Sequence, residues 1–214
     1  MKKKIKNYLV FTSRIYRLIT FVLVPVALIL VQIILPLEDM VLRTFFIALL
    51  YPIAEVVADY WVFGGIAVRG TAQAEYIKTS ERGISIIRTA LVADMLRWLV
   101  TTVLLFVACM AVHACMGGTI EPDENHLVTN LLLIVTAYFS IVSECTIVRH
   151  LDGLQANLLV SCFATPILLV VMYLGFYQIY LTLAVMLLLS VVSSILGVKM
   201  VLKRVKESYY DKAA

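Results

Sequence analysis

The stretch HLVTNLLLIVTAYFSIVSECTIV, residues 126–148, is mostly apolar and contains a single acidic or basic side chain, Glu144. A helix needs about 20 mostly apolar residues to cross the roughly 30 Å hydrocarbon core of a bilayer. Five more segments of this kind flank it, so the sequence predicts an all-α bundle of six transmembrane helices. The predicted spans are 16–35, 41–66, 89–116, 126–148, 154–176 and 177–202, with almost no loop between the last two.

The overall composition agrees with a bilayer environment. Hydrophobic residues make up 62% of the 214 residues and charged residues 15%, whereas soluble domains have about 45–50% apolar and about 25% charged residues. Six spans use most of the chain, so residues 1–214 form one transmembrane domain. A nucleic-acid partner is excluded, because no basic soluble domain is left to bind it.

Positive charge is concentrated in the segments that would face one side of the membrane. With the N-terminus inside, the outer segments contain only one basic residue, Arg43, and several acidic ones. The inner segments contain Lys2, Lys3, Lys4, Lys6, Arg14, Arg17, Arg69, Lys78, Arg82, Arg88, Arg97, Arg149, Lys199, Lys203, Arg204, Lys206 and Lys212. Because cytoplasmic loops carry the excess of Lys and Arg, we expect an integral protein of a bacterial cytoplasmic membrane with both termini in the cytoplasm.

Two cytoplasmic segments have a helical pattern. Residues 1–15 have apolar and basic positions on different faces, which predicts an amphipathic helix at the membrane interface. In the cytoplasmic loop 67–88, Thr71 is a candidate N-cap for a short helix and Gly83 a candidate C-terminal stop. This loop is either a structural connector or a docking surface for a partner.

Ionisable residues inside the spans lie at similar depth. Each is placed in the inner third of the bilayer or at its cytoplasmic edge, with Arg149 just below. Such residues usually face a protein interior or water. Three interpretations remain open: an ion-pair network that joins spans two, three and four, a polar vestibule for a cargo, or a carboxylate site for a divalent cation. The residues of this inner-vestibule set are Glu55, Asp59, Asp94, Arg97 and Glu144.

The chain lacks the usual signatures of catalysis. It has no GxxxxGK phosphate loop, no HExxH and no GxSxG sequence. No catalytic residue, metal ligand or cofactor is therefore predicted within the chain. Whether the protein is an enzyme is left open, and the absence of these motifs favours a non-enzyme.

One loop also carries a resemblance to a known family. Arg69-Gly70-Thr71 is followed by a helical stretch to Lys78, a Thr-Ser turn and a new helix from Ile84. This text, with the six-span layout, resembles the type-2 ABC exporter permeases. The resemblance in amino-acid sequence covers residues 66–96, and the resemblance in the number and order of spans covers the whole chain. The usual proline after the Thr-Ser pair is absent.

The resemblance implies a permease subunit that moves a hydrophobic or amphipathic cargo with energy from a separate, soluble ATPase, which would supply ATP and Mg²⁺. Two such chains, identical or similar, would form the path as a homodimer or heterodimer. The residues implied to contact the ATPase are Arg69, Gly70, Thr71, Glu75, Lys78 and Arg82. The alternative from the residues alone is an integral-membrane enzyme, or a divalent-cation site or transporter, that uses the inner-leaflet carboxylates.

Overall fold

A computed structural model describes residues 8–9, 12–34, 39–60, 80–116, 124–149, 159–160 and 162–210. Nearly all of these residues are helical, and none is in a strand. The helices are α1 (Arg14–Leu18), a π-helical turn (Ile19–Leu23), α2 (Val24–Ile34), α3 (Met40–Asp59), α4 (Glu81–Cys115), α5 (Glu124–Val148) and α6 (Ala164–Tyr210). In the described part of the chain, five helical stretches are long and apolar enough to cross a membrane: Arg14–Ile34, Met40–Asp59, Glu81–Cys115, His126–Val148 and Ala164–Glu207. The protein therefore has the architecture of a helical membrane protein.

The N-terminal residues enter the first long helix through a break. Tyr8 and Leu9 are helical, and a new helix begins at Arg14. The side chain of Ser13 caps this helix by accepting a hydrogen bond from the backbone N–H of Tyr16. Residues 1–7 of the predicted interfacial helix lie outside the described residues.

The start of α4 differs from the prediction. This helix begins at Glu81, eight residues before the predicted span, because Ser80 caps it by accepting a hydrogen bond from the Gly83 N–H at 2.9 Å. Gly83 is therefore buried in the first turn of a helix and does not end one. Residues 81–88 of the predicted loop are helical, and residues 67–79 lie outside the described residues. The second predicted span, 41–66, is described as α3 only as far as Asp59 and Tyr60.

Helix α6 covers most of the fifth and sixth predicted spans and is interrupted once. Gln178 has φ −147° and ψ 76°, which is outside the helical region. Residues on both sides of this break pack against α5: a Cβ atom on Gly175 would lie 2.9 Å from Leu132, and one on Gly197 would lie 2.6 Å from the Thr146 hydroxyl. The chain thus contacts α5 along two successive stretches that meet at Gln178. Residues 154–158 of the fifth predicted span lie outside the described residues.

Helix α5 lies at the centre of the packing. One of its faces packs with α3 and α4 around Trp98 and Tyr51, which are fully buried. A second face contributes Ala137 to a cluster with Ala48 of α3 and Leu168 of α6. Small residues at such positions allow two membrane helices to approach closely.

A buried arginine joins the end of α2 to the start of α3. Arg43 of α3 is 1% exposed and donates a 2.6 Å hydrogen bond to the backbone carbonyl of Gln32 in α2. A cation is favourable at this position, because the last carbonyl groups of a helix have no partner within it. The only basic residue expected on the outer side is therefore a helix cap.

Candidate functional site

Five ionisable side chains meet where α3 and α5 end, and we call them the charged cluster: Glu55, Asp59, Asp94, Arg97 and Arg149. All are at most 6% exposed. The helical period places these side chains in pairs. Glu55 and Asp59 lie four residues apart on one face of α3, and Asp94 and Arg97 lie three residues apart on one face of α4. Arg149 follows the last residue of α5.

Arg97 is the main connection within the charged cluster. Its Nη1 and Nη2 donate to the two carboxylate oxygens of Glu55 at 2.7 and 2.8 Å, which is bidentate geometry. Its Nε donates to Asp94 Oδ1 at 3.3 Å, and its Nη2 also donates to the Tyr16 hydroxyl at 3.1 Å. The Nε1–H of Trp98 also donates a hydrogen bond to Glu55 Oε2 at 3.0 Å. One guanidinium thereby links α1, α3 and α4.

Arg149 forms the second bidentate pair. Its Nε and Nη2 donate to the two oxygens of Asp59 at 2.8 Å each, and Nη2 lies 3.7 Å from Asp94 Oδ2. Burial alone would lower the pKa of the Arg149 guanidinium, but the Asp59 carboxylate raises it above its ordinary value. Arg149 therefore stays charged and links the end of α5 to α3 and α4.

The segment before the first long helix reaches the charged cluster through a tyrosine. The Tyr8 hydroxyl donates to Asp94 Oδ1 at 2.9 Å. Burial, reinforced by the Asp94 carboxylate, raises the pKa of the Tyr8 hydroxyl above its ordinary value, so the hydroxyl remains a donor. The segment that precedes α1 is thereby attached to the middle of α4.

The aromatic rings around the two guanidinium groups were not singled out from the sequence. Arg149 lies over the Trp98 ring at 5.2 Å, and Arg97 lies 5.7 Å from the ring centroids of Tyr16 and Phe21. Distances below about 6 Å give a favourable cation–π interaction in a dry site. A weak signal was present in the sequence, because Trp98 follows Arg97 directly and lies four residues after Asp94.

Glu144 is separate from the charged cluster. It is 1% exposed, and neither of its oxygens has a hydrogen-bond partner among the described residues. The structure thus brings together four of the five predicted vestibule residues and leaves Glu144 alone. Those four are enclosed by protein and are joined through Arg97 and Arg149, which is the arrangement of the ion-pair interpretation.

The described side chains do not form a metal site. Within the described ranges, no three His, Cys, Asp or Glu side chains are grouped so that they could share a metal ion. Two carboxylates on one face of α3, Glu55 and Asp59, each accept arginine hydrogen bonds at both oxygens. The chemistry that this arrangement supports is rigid attachment between helices.

Two apolar grooves lie on the helix surfaces. One, of about 600 Å³, runs along α4 past Leu104 and Val100 and ends at Arg97 and Tyr8. The other, of about 660 Å³, is lined by residues on both sides of Gln178 and by Phe139 of α5. Both have the apolar lining expected of a surface in contact with lipid chains or a hydrophobic ligand.

Of the residues predicted to contact an ATPase, one is described. Arg82 is exposed in the first turn of α4. The other five, Arg69, Gly70, Thr71, Glu75 and Lys78, lie outside the described residues.

Comparison with known proteins adds no relative. No protein-family model, no curated protein and no solved structure matches this chain.

Proposed function

We propose that this protein is the membrane subunit of an ABC-type exporter, which moves a hydrophobic or amphipathic cargo with energy from a separate ATPase. The observation that carries the proposal is the position of the charged cluster relative to the segment 61–79. Asp59 lies at the end of the helix that precedes this segment, and α4 begins two residues after it. A partner docked on the segment would act on two helices that are already fastened together.

The bonding of the charged cluster makes it suitable for transmitting such a force. Glu55 and Asp59 of α3 are each held by an arginine of a different helix, Arg97 of α4 and Arg149 at the end of α5. Bidentate pairs fix orientation as well as distance. A movement of the 61–79 segment would therefore displace α3, α4 and α5 as one body, which is what alternating access by rigid-body motion requires.

The proposal includes six spans, with both termini in the cytoplasm. A straight helix over Ala164–Glu207 would be about 66 Å long, roughly twice the hydrocarbon core of a bilayer. Phe139 lines the same groove as Pro166 and Leu189, which lie on opposite sides of Gln178. The simplest arrangement is a reversal at Gln178 that makes two spans of α6 and leaves Lys199, Lys203 and Arg204 on the cytoplasmic side.

Cargo would enter from the membrane and not through the charged cluster. The carboxylates of the cluster are fully buried and have arginine partners, so they brace the bundle. The groove that ends at Arg97 and Tyr8 is apolar and open to the surface. It suits a hydrophobic tail with a polar end, which supports a cargo of that kind. Two chains, identical or similar, would together complete the path.

The second possibility, a membrane enzyme or divalent-cation site on the same carboxylates, has less support. A hard cation would have to displace the arginine donors from Glu55 and Asp59, which occupy both oxygens of each. We therefore retain the exporter subunit as the proposed function.

Co-purification tests the proposal. The tagged chain is expressed from its native operon, and the complex is purified in mild detergent and identified by mass spectrometry. We expect a stoichiometric chain that contains a phosphate-binding loop and hydrolyses ATP. The double charge reversal Lys78→Glu with Arg82→Glu should release it, whereas Lys203→Glu, an exposed lysine on α6, should not. If no nucleotide-binding chain is recovered with the wild-type protein, the exporter function is rejected.

A further inference from the structure

Glu144 lies deep in α5 on a face that packs against protein. It is 18 residues from His126, about 27 Å along the helix. Thr136 and Ser140 precede it at four-residue steps on the same face, and all three are at most 1% exposed. Ala137, two turns earlier, contacts α3 and α6. Glu144 therefore points into the interior of the bundle rather than toward lipid.

This carboxyl group has no hydrogen-bond partner among the described residues. Both oxygens are enclosed and unbonded, and Glu144 lines neither of the two grooves. The charged groups on the helices that pack against α5, within the described residues, bond elsewhere, are exposed or, for Arg204, are half-buried, and no ion pair with Glu144 is found among them. They are Arg43, Glu55, Asp59, Glu81, Arg82, Arg88, Asp94, Arg97, Arg149, Lys199, Lys203, Arg204, Lys206 and Glu207. The nearest titratable group in sequence is the buried thiol of Cys145.

The charged cluster differs from Glu144 in the donors that its carboxylates have: among the described carboxylates, Asp94 leaves one buried oxygen without a hydrogen bond, and Glu144 leaves both. Two arginines of the same bundle, Arg97 and Arg149, donate to every carboxylate oxygen of Glu55 and Asp59. An ionised carboxylate without such donors is strongly disfavoured in a dry interior. Since no described residue donates to Glu144, the group that neutralises it in the described part of the chain must be a cation small enough for the enclosed space.

We propose that Glu144 is a proton-binding site, occupied in this arrangement of the helices. A proton is the one cation that needs no cavity and no further oxygen ligands, since it binds covalently to a single carboxylate oxygen. Glu144 takes the proton from a hydronium ion, which leaves a neutral carboxylic acid and water. It returns the proton to water when α6 separates from α5 and admits solvent, while α3 and α5 stay joined through Asp59 and Arg149. Helix separation and proton release are thereby coupled, and this holds whether or not the chain is an exporter subunit.

Infrared spectroscopy tests the site directly on the purified full chain in lipid nanodiscs. We expect the wild-type protein near neutral pH to show the C=O stretch of a protonated carboxylic acid, and Glu144→Gln to lack it. Glu207→Gln is the control: it removes an exposed carboxyl group on α6 and should leave this band unchanged. If Glu144→Gln does not fold, Glu144→Asp should shift the band in frequency.

Two results would overturn the proposal. One is a protonated-acid band that is the same in the wild-type protein and in both Glu144 variants. The other is the absence of such a band near neutral pH, with loss of an ionised-carboxylate band in Glu144→Gln. Neither result depends on an ATPase, so failure here is distinguishable from failure of the exporter proposal.

Discussion

Removal of the Arg97 guanidinium is the most direct test of the charged cluster. Arg97→Met keeps most of the side-chain volume but deletes four hydrogen bonds: two to Glu55, one to Asp94 and one to Tyr16. Glu55 then keeps the hydrogen bond from the Trp98 N–H but has no arginine donor among the described residues. Removing one partner of a buried ion pair costs about 3–5 kcal/mol, because the other charge is left uncompensated. We expect a loss of this size in the free energy of unfolding.

The assay is reversible unfolding in mixed micelles of increasing dodecyl sulfate fraction, followed by far-UV circular dichroism. Arg88→Met is the matched control, since Arg88 lies on the same helix and is exposed, and we expect it to stay within about 0.5 kcal/mol of wild type. Arg97→Lys should fall between the two, because a lysine cannot form the bidentate pair. If Arg97→Met is within about 1 kcal/mol of Arg88→Met, the reasoning from uncompensated burial is refuted.

A double-mutant cycle separates the pair from the rest of the cluster. Glu55→Met and Arg97→Met each remove the same two hydrogen bonds, so their costs should not add. We expect the double variant to be less destabilised than the sum of the single variants by about 0.5–3 kcal/mol. Strict additivity would mean that the two side chains contribute independently and that their close contact has no energetic consequence.

Two further predictions concern packing and the N-terminal contact. Gly197→Ala should destabilise the protein by about 1–3 kcal/mol, since the new Cβ would lie 2.6 Å from the Thr146 hydroxyl; Thr146→Ala in the same chain should recover most of this loss in the micelle assay, and no recovery would locate the strain elsewhere. Tyr8→Phe removes the 2.9 Å hydrogen bond to Asp94 and should cost about 1–3 kcal/mol by the same measurement, whereas an unchanged stability would show that the N-terminal segment is not held by this bond.

Helix boundaries could be predicted where the local sequence is compatible with one start or end, and could not where it is compatible with two. The span 126–148 is found as predicted, because its length and apolar character admit one interpretation. The start of α4 was misplaced, since Gly83 is compatible with both a helix stop and a first helical turn. The cap from Ser80 decides between them, and the Ser80-Glu81 pair was the available signal.

The sequence predicts which charged residues share a helix face, but it does not predict which of them form ion pairs. Spacing alone places Glu55 with Asp59 and Asp94 with Arg97, because the helical period of 3.6 residues is a local property. Which arginine bonds to which carboxylate depends on the lateral order and rotation of the helices. The bond between Tyr8 and Asp94 could not be predicted, since nothing in the pattern of residues 1–15 indicates a contact with a residue 86 positions away.

The amino-acid sequence determines, by itself, that the chain is a bundle of apolar helices with its ionisable residues gathered near one end. Hydrophobicity and helical periodicity are properties of neighbouring residues, so they can be recognised from the sequence without a structure. Only the tertiary structure decides that Glu55 and Asp59 are held by arginines of two different helices while Glu144 has no hydrogen-bond partner among the described residues. The physical reason is that lipid is as apolar as the helix surfaces, so helix partners are chosen by packing and hydrogen bonds between distant residues.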